Sequence, residues 1–317
     1  MAMGSPCSIK VPGPTERGQL AANVCIVEAQ RFESVYSRYT HDSVVAQINA
    51  AAGLKPIRID AECRAIFNYA AVCYELSEGL FDVTAGVLRR IWTKTRTQRP
   101  TAAELAPVLG LIDFNLIEIS DDSVFLPRVG MEIDLGGVVK EYAADALAQK
   151  VQSLGIDSAV INLGGDIYCV GSRTVDEGWQ IGIVDPSGGA PVASVQLVNA
   201  GLATSGGYER FLEIDGKKYS HILDPQTGYP VDSLTSVSVI ADQTVVAGSA
   251  ATIALLKGEA EGLKWLEALG CPYLAIGKTG QVMKGEGKDS EKIVSSETSS
   301  ASANRQFKGF FNVKANR

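Results

Sequence analysis

Residues 132–171, EIDLGGVVKEYAADALAQKVQSLGIDSAVINLGGDIYCVG, change their hydrophobic period twice, and no other stretch limits the fold so strongly. EIDL alternates as a strand does, a double glycine breaks the pattern, EYAADALAQKVQSLG repeats at helical spacing, and SAVINLGG returns to strand. A helix flanked by strands over so short a distance must bury its apolar side on a sheet, which predicts a mixed α/β (α+β) domain.

The flanking sequence extends that reading. An amphipathic helix is predicted near 16–37, with Leu20, Val24, Ile26, Val27, Phe32 and Val35 on its apolar face. RIDAECRAIFNYAAVCYELSEG reads as a second helix with Asp60 as N-cap and Gly79 as stop, and TAAELAPVLG as a short capped one. NLIEIS, SVFLP and MEIDL read as strands, as do WQIGIVD, ASVQLV, ERFLEI and TSVSVIA between turns of Gly, Pro and Asp. Helices are predicted from about 245 and 259, then the strands YLAIG and QVMKG. These place one domain over 1–285, followed by a polar, Ser-rich tail at 286–317 of the composition expected for a flexible segment.

Composition narrows the function. With 46% hydrophobic and 21% charged residues, a chain of 317 residues can fold around its own core. A net charge of −7 argues against nucleic acid as a partner, while leaving room for a local anion site. The six cysteines form no CxxC pair, so a zinc knuckle is not expected. No stretch is long and apolar enough to span a bilayer, and MAMGSPCSIKV lacks the regions of a signal peptide. The chain as given is therefore expected in the cytoplasm, although a signal removed beforehand would leave no trace.

Four stretches could carry chemistry. In EIDLGGVVKEYAAD, Asp134 ends a strand, Gly136 and Gly137 permit close backbone approach, and Lys140 opens a helix, an arrangement suited to phosphate. Taken alone, the stretch is explained better by a structural strand-to-helix turn, and no Walker or GxGxxG pattern is present. INLGGDI, with Asp166, reads as a tight turn between strands. ATSGGYER and YSHILDPQTGYP bring His221 before a rigid turn, where it could accept a proton or serve only structure. In FDVTAGVLRRIW, Asp82 or Thr84 suits a helix cap and Trp92 an apolar closure.

The order of MGSPCSI, SRYTHDSVVAQIN, FDVTAG, EIDLGGVVKEYAAD, INLGGDI, LATSGGY and SHILDPQTGYP resembles the ApbE-type FAD:protein FMN transferases over most of residues 1–285. The resemblance implies an ApbE-like, T-fold-related, two-lobed single domain with an FAD cleft. It implies cleavage of FAD and attachment of FMN, through a phosphoester, to a Thr or Ser of a target flavoprotein, with release of AMP. Matched by motif, Met3, Tyr39, Leu80, Phe81, Asp82, Asp134, Lys140 and Leu223 would bind FAD, and His221 with Lys140 would carry the transfer. A magnesium ion would meet the Gly137 carbonyl, Thr252 and the backbone of Ala247. The family's usual metal-binding Asp is Gly248 here, and Glu141 replaces a usual Gly. That departure leaves two alternatives, a non-catalytic FAD-binding or delivery protein and an FAD pyrophosphatase, and predicts that Gly248→Asp would strengthen the magnesium dependence. Glu141 could add charge to the site or lie on the helix surface. Many members of this family are periplasmic lipoproteins.

Overall fold

The computed structural model describes residues 1–287 apart from Pro14, Asp176 and Glu209, so the expected tail lies outside the described residues except for Glu286 and Gly287. The chain opens with β1 (Cys7–Lys10), then α1 (Glu16–Tyr36) and α2 (Val44–Ala50). Hydroxyl caps begin both helices, Thr15 accepting from the Gly18 N–H and Ser43 from that of Ala46. β2 (Ile57–Arg58) leads to α3 (Ala61–Leu76), whose N-cap is Asp60, as its sequence predicts. A 3₁₀ helix at Val83–Arg90 follows, and then α4 (Ala102–Leu109), where Thr101 and Glu104 form a capping box.

β3 (Glu118–Ile119) and β4 (Ser123–Phe125) precede α5 (Val139–Ser153). Next come β5 (Ala159–Leu163), β6 (Asp166–Val170), β7 (Trp179–Ile183), β8 (Ala193–Leu197) and β9 (Ala200–Gly206). After them run β10 (Phe211–Ile214), β11 (Lys217–Ser220) and β12 (Leu234–Ala241). The described chain closes with α6 (Thr244–Lys257), α7 (Glu259–Leu269), β13 (Tyr273–Gly277) and β14 (Val282–Gly285).

One seven-stranded sheet, ordered β1-β5-β6-β9-β12-β13-β14 and antiparallel at every pairing, organises the molecule. Its strands alternate between two cores. Ile161, Leu163, Val237 and Val239 face the main core with α1, α3, α5 and α6, whereas Val160, Ile167, Leu202 and Ile240 face a smaller one covered by the β7–β8 hairpin. A further cluster joins Leu88, Trp92, Leu105 and Ile214, tying the 3₁₀ helix and α4 to the β10–β11 hairpin. All six cysteines are free thiols.

Three expectations change. On α1, Leu20, Ile26 and Val27 are exposed, and the buried stripe is Ala21, Cys25, Ala29, Phe32 and Tyr36. Small residues on that stripe let α1 approach α5 closely, so helix contact and not side-chain bulk decides which face is inside. MEIDL joins no sheet: Ile133 exchanges both backbone hydrogen bonds with the Asn49 side-chain amide, at 2.7 and 3.0 Å, and the Asp134 N–H goes to the Val83 carbonyl at 2.8 Å. β9, where no strand is named from the sequence, is a central strand, because the small residues AGLATSG let α6 pack directly on it.

α6 has no cap of its own, and Asp145 of α5 supplies one across the helix pair. Its two oxygens accept from the Thr244 and Val245 N–H groups at 2.7 and 2.9 Å. Burial pushes the Asp145 carboxyl up to about 7, against the lowering effect of these two donors. Asp145→Ala leaves two buried N–H groups unpaired and is expected to cost at least about 2 kcal/mol. Urea unfolding measures this, and an unchanged midpoint would remove Asp145 as the anchor between α5 and α6.

Candidate active site

The site is built where α5 begins. Gly136 and Gly137 are exposed, and the Gly136 N–H is turned onto Asp134 Oδ1 at 2.9 Å. No side chain caps α5; the Val138 and Val139 N–H groups go to the Leu135 carbonyl at 3.0 and 2.9 Å, so an anion would meet the N–H groups that follow them in the first turn. Asp134 is itself flanked by the guanidinium groups of Arg38 at 3.5 Å and Arg89 at 3.9 Å. Arg38 is oriented by Glu132 at 2.5 Å and by the Gly86 carbonyl at 2.8 Å.

Lys140, in the first turn of α5, pairs its ammonium with Asp166 at the start of β6. Burial works against its charge, but Asp166 and Glu141 outweigh burial and hold its pKa above the ordinary value. Asp166 follows the tight turn expected between β5 and β6, in which Gly164 and Gly165 both have positive φ, 67° and 97°. That turn also fits the N-terminus: the Gly164 N–H bonds the Pro6 carbonyl at 2.9 Å, and a Cβ at Gly164 would lie 2.4 Å from Ser5 Cβ. Met3 sits in this N-terminal turn with φ 51°, partly buried against the main core.

Arg210 links the N-terminus to His221. One guanidinium nitrogen reaches Ser5 Oγ at 2.6 Å and the Gly4 carbonyl at 3.3 Å, while the Arg210 carbonyl receives His221 Nδ1 at 3.0 Å. Because a carbonyl only accepts, Nδ1 carries the proton and Nε2 holds the free lone pair. Burial and the positive charges of Arg89, Arg210 and Lys140 lower the His221 pKa to about 4, so the ring is neutral near pH 7. Leu223 follows in the same loop, bridged to Pro230 and packed on the Trp92 cluster.

The remaining expected residues divide by exposure. Phe81 is buried with its ring edge 3.4 Å from where a Cβ at Gly137 would lie, and Leu80 beside it is partly exposed. Tyr39 is 81% exposed, an aromatic face open to a ligand, with the Arg38 guanidinium 5.8 Å from its centroid. Asp82 has both oxygens committed: Oδ1 accepts from the Thr84 N–H and hydroxyl, and Oδ2 from the Phe114 N–H. It acts as the cap of the 3₁₀ helix, and its pKa is raised by burial.

At α6, Thr252 Oγ1 lies 2.7 Å from Ser205 Oγ of β9. Ala247 is fully buried in the helix interior, where the ladder claims its carbonyl. Glu141 is not on a helix surface: it is 6% exposed, and its carboxyl is pushed up to about 8 by burial and the nearby Asp166 charge. A Cβ at Gly248 would lie 2.5 Å from Glu141 Cγ, so Gly248→Asp has no room while Glu141 stays in place. That substitution alone is therefore not expected to strengthen the magnesium dependence.

Among the described residues, no group of three or more His, Cys, Asp or Glu side chains is arranged to hold a metal ion. The donors present are nevertheless oxygens of the hard type: the Thr252 and Ser205 hydroxyls and Glu141 Oε2, which is buried without a hydrogen-bond partner among the described residues. Such a set fits magnesium, which takes one or two carboxylates and keeps several waters. Sequence reasoning passed over Arg38, Arg89, Asp145, Ser205 and Arg210, since isolated arginines and serines carry no spacing signal.

Known proteins resemble the chain over most of its length. The description of the ApbE family matches residues 3–275. The chain is 31% identical to an FAD:protein FMN transferase of Treponema pallidum (strain Nichols) over 81% of its own length and 77% of the relative's. It is 32% identical to one of Klebsiella pneumoniae (strain 342) over 77% and 76%. Among solved structures it is similar to the ApbE protein of Thermotoga maritima, with TM-score 0.84, 28% identity, and 90% and 95% of the two chains covered. The flavin transferase ApbE of Vibrio cholerae gives TM-score 0.79 at 26% identity, with 90% and 94% covered. With a family match over most of its length, a relative above 30% identity and a similar fold over 90% of the chain, the chain belongs to the ApbE family.

Proposed function

We propose that the protein is an FAD:protein FMN transferase: it cleaves the FAD pyrophosphate and joins FMN to a Thr or Ser hydroxyl of a target flavoprotein. The observation that carries this reading is the convergence of Lys140, Arg210 and neutral His221 on the uncapped start of α5. Attack on a phosphoanhydride is opposed by its own negative charge, so the groups that matter are fixed cations, free N–H donors and a base.

In this reading Lys140, with the first-turn N–H groups of α5 beyond Val139, binds the pyrophosphate beside Gly136 and Gly137. Tyr39, Leu80, Phe81 and Met3 line the flavin end, with the Leu223 backbone and Asp134 completing the cleft. His221 Nε2 takes the proton of the acceptor hydroxyl as that oxygen bonds to the FMN phosphorus. The phosphorus–oxygen bond to AMP breaks, and AMP leaves with the bond's electron pair. Gly137 and Thr252 are the proposed oxygens for magnesium, which when bound neutralises pyrophosphate charge. Ala247, its carbonyl used in the helix, stays behind them as packing.

The test is to incubate the protein with FAD, magnesium and an acceptor flavoprotein bearing an accessible Thr or Ser, and to follow flavin on the acceptor after denaturation. Covalent flavin is expected. FAD that remains bound and intact across several acceptors and metals would point to a delivery protein instead. No helix among the described residues is long and apolar enough to cross a membrane.

A further inference from the structure

Glu141 is costly where it sits. It is one residue beyond Lys140 in the first turn of α5, is more than nine-tenths buried, and leaves Oε2 with no hydrogen-bond partner among the described residues. An unpaired buried carboxyl oxygen carries a desolvation penalty that a Leu or Met of similar size would avoid. The structure shows no packing reason for the acid, because its side chain fills a space that exists only through the lack of a side chain at Gly248. A Cβ there would meet Glu141 Cγ at 2.5, Oε1 at 2.9 and Cδ at 3.0 Å.

The groups around it come from several elements. Asp145, one turn along α5, has both oxygens occupied by the α6 N–H groups, and Asp166 of β6 is paired with Lys140. Cys73 of α3 also lies near Glu141. Thr252 stands one helical turn after Gly248 and therefore on the same face of α6, with its hydroxyl on Ser205. An unpaired carboxylate oxygen thus approaches α6 one turn from a hydroxyl pair.

We infer that Glu141 is the carboxylate ligand of the metal site, reaching from α5 into the position that Gly248 leaves open on α6. The site's carboxylate then comes from α5, and Gly248 of α6 supplies the space it occupies. This rests on the metal-dependent reading above, extends it to a residue outside its proposed ligands, and makes Gly248 a condition of the site.

Mn²⁺ binding to the purified full chain, followed by the loss of its free-ion paramagnetic resonance signal with and without FAD, tests the inference apart from turnover. The wild type is expected to bind Mn²⁺ and Glu141→Gln to bind it at least ten-fold more weakly, while the metal-free Glu141→Gln protein melts no lower than wild type. The paired change Glu141→Gly with Gly248→Asp returns the carboxylate from α6 and is expected to recover most of the affinity. If Glu141→Gln binds Mn²⁺ like wild type while Thr252→Val binds it weakly, Glu141 is not a ligand and the functional reading stands. If wild type binds no Mn²⁺ in either state, the metal assignment itself fails and this inference falls with it.

Discussion

Lys140→Met is expected to slow FMN transfer by about two to three orders of magnitude and to weaken the fold. Asp166, whose side chain is 3% exposed, would be left as a buried charge without its ammonium partner. Breaking a buried pair from one side costs about 3–5 kcal/mol, far more than an exposed ion pair is worth. Loss of one preorganised positive group at a developing phosphoryl charge lowers turnover by about 10²–10³-fold. The two effects separate in the double variant Lys140→Met with Asp166→Asn, which removes the buried negative charge. Urea unfolding should show most of the stability restored, while AMP release stays at the level of the single variant. AMP release by Lys140→Met within ten-fold of wild type would remove Lys140 from the chemistry and leave it a structural partner of Asp166.

His221→Ala is expected to reduce transfer by about 10²–10⁴-fold while FAD still binds, because the ring holds the base and not the nucleotide. Its pH dependence follows from burial among Arg89, Arg210 and Lys140, which lowers the folded pKa to about 4. The unfolded ring titrates near its ordinary value of about 6.5. Between those values the unfolded chain binds the proton and the folded one does not, so stability is full above the unfolded pKa and is lost as pH falls through about 4. Transfer should likewise hold level from neutral pH to near 5 and drop only as about 4 is approached. An acid limb at the ordinary histidine value, absent in His221→Ala, would show that the ring is exposed in the working enzyme and that its cationic neighbours do not act on it.

Much of the site could be read from the chain because its parts are local. The double glycine, Lys140 and the helix behind them lie within a few residues, and the INLGGDI turn is spelled by Gly164 and Gly165 at positive φ. Asp60 and Thr101 announce α3 and α4 through capping chemistry confined to one turn. What was not legible depends on distant pairs. The exposure of Leu20 and Ile26 is decided by how near α5 comes to α1, and the central place of β9 by the small side chains that admit α6. The strand expected at MEIDL fails because Asn49, far away in sequence, takes its ladder hydrogen bonds. Glu141 is the clearest case: its residue type suits a solvated helix face, and only the contact with Gly248 shows it to be inside.

The central claim is that FAD's phosphoanhydride is opened by a protein hydroxyl and not by water. The most direct measurement is the molar ratio of AMP, free FMN and acceptor-bound FMN in one reaction containing FAD, magnesium and an acceptor flavoprotein. The structure predicts AMP and acceptor-bound FMN in equal amounts, with both lost when the acceptor hydroxyl is replaced by alanine. AMP accompanied by an equal amount of free FMN, unchanged by that replacement, would contradict it and make the protein an FAD pyrophosphatase.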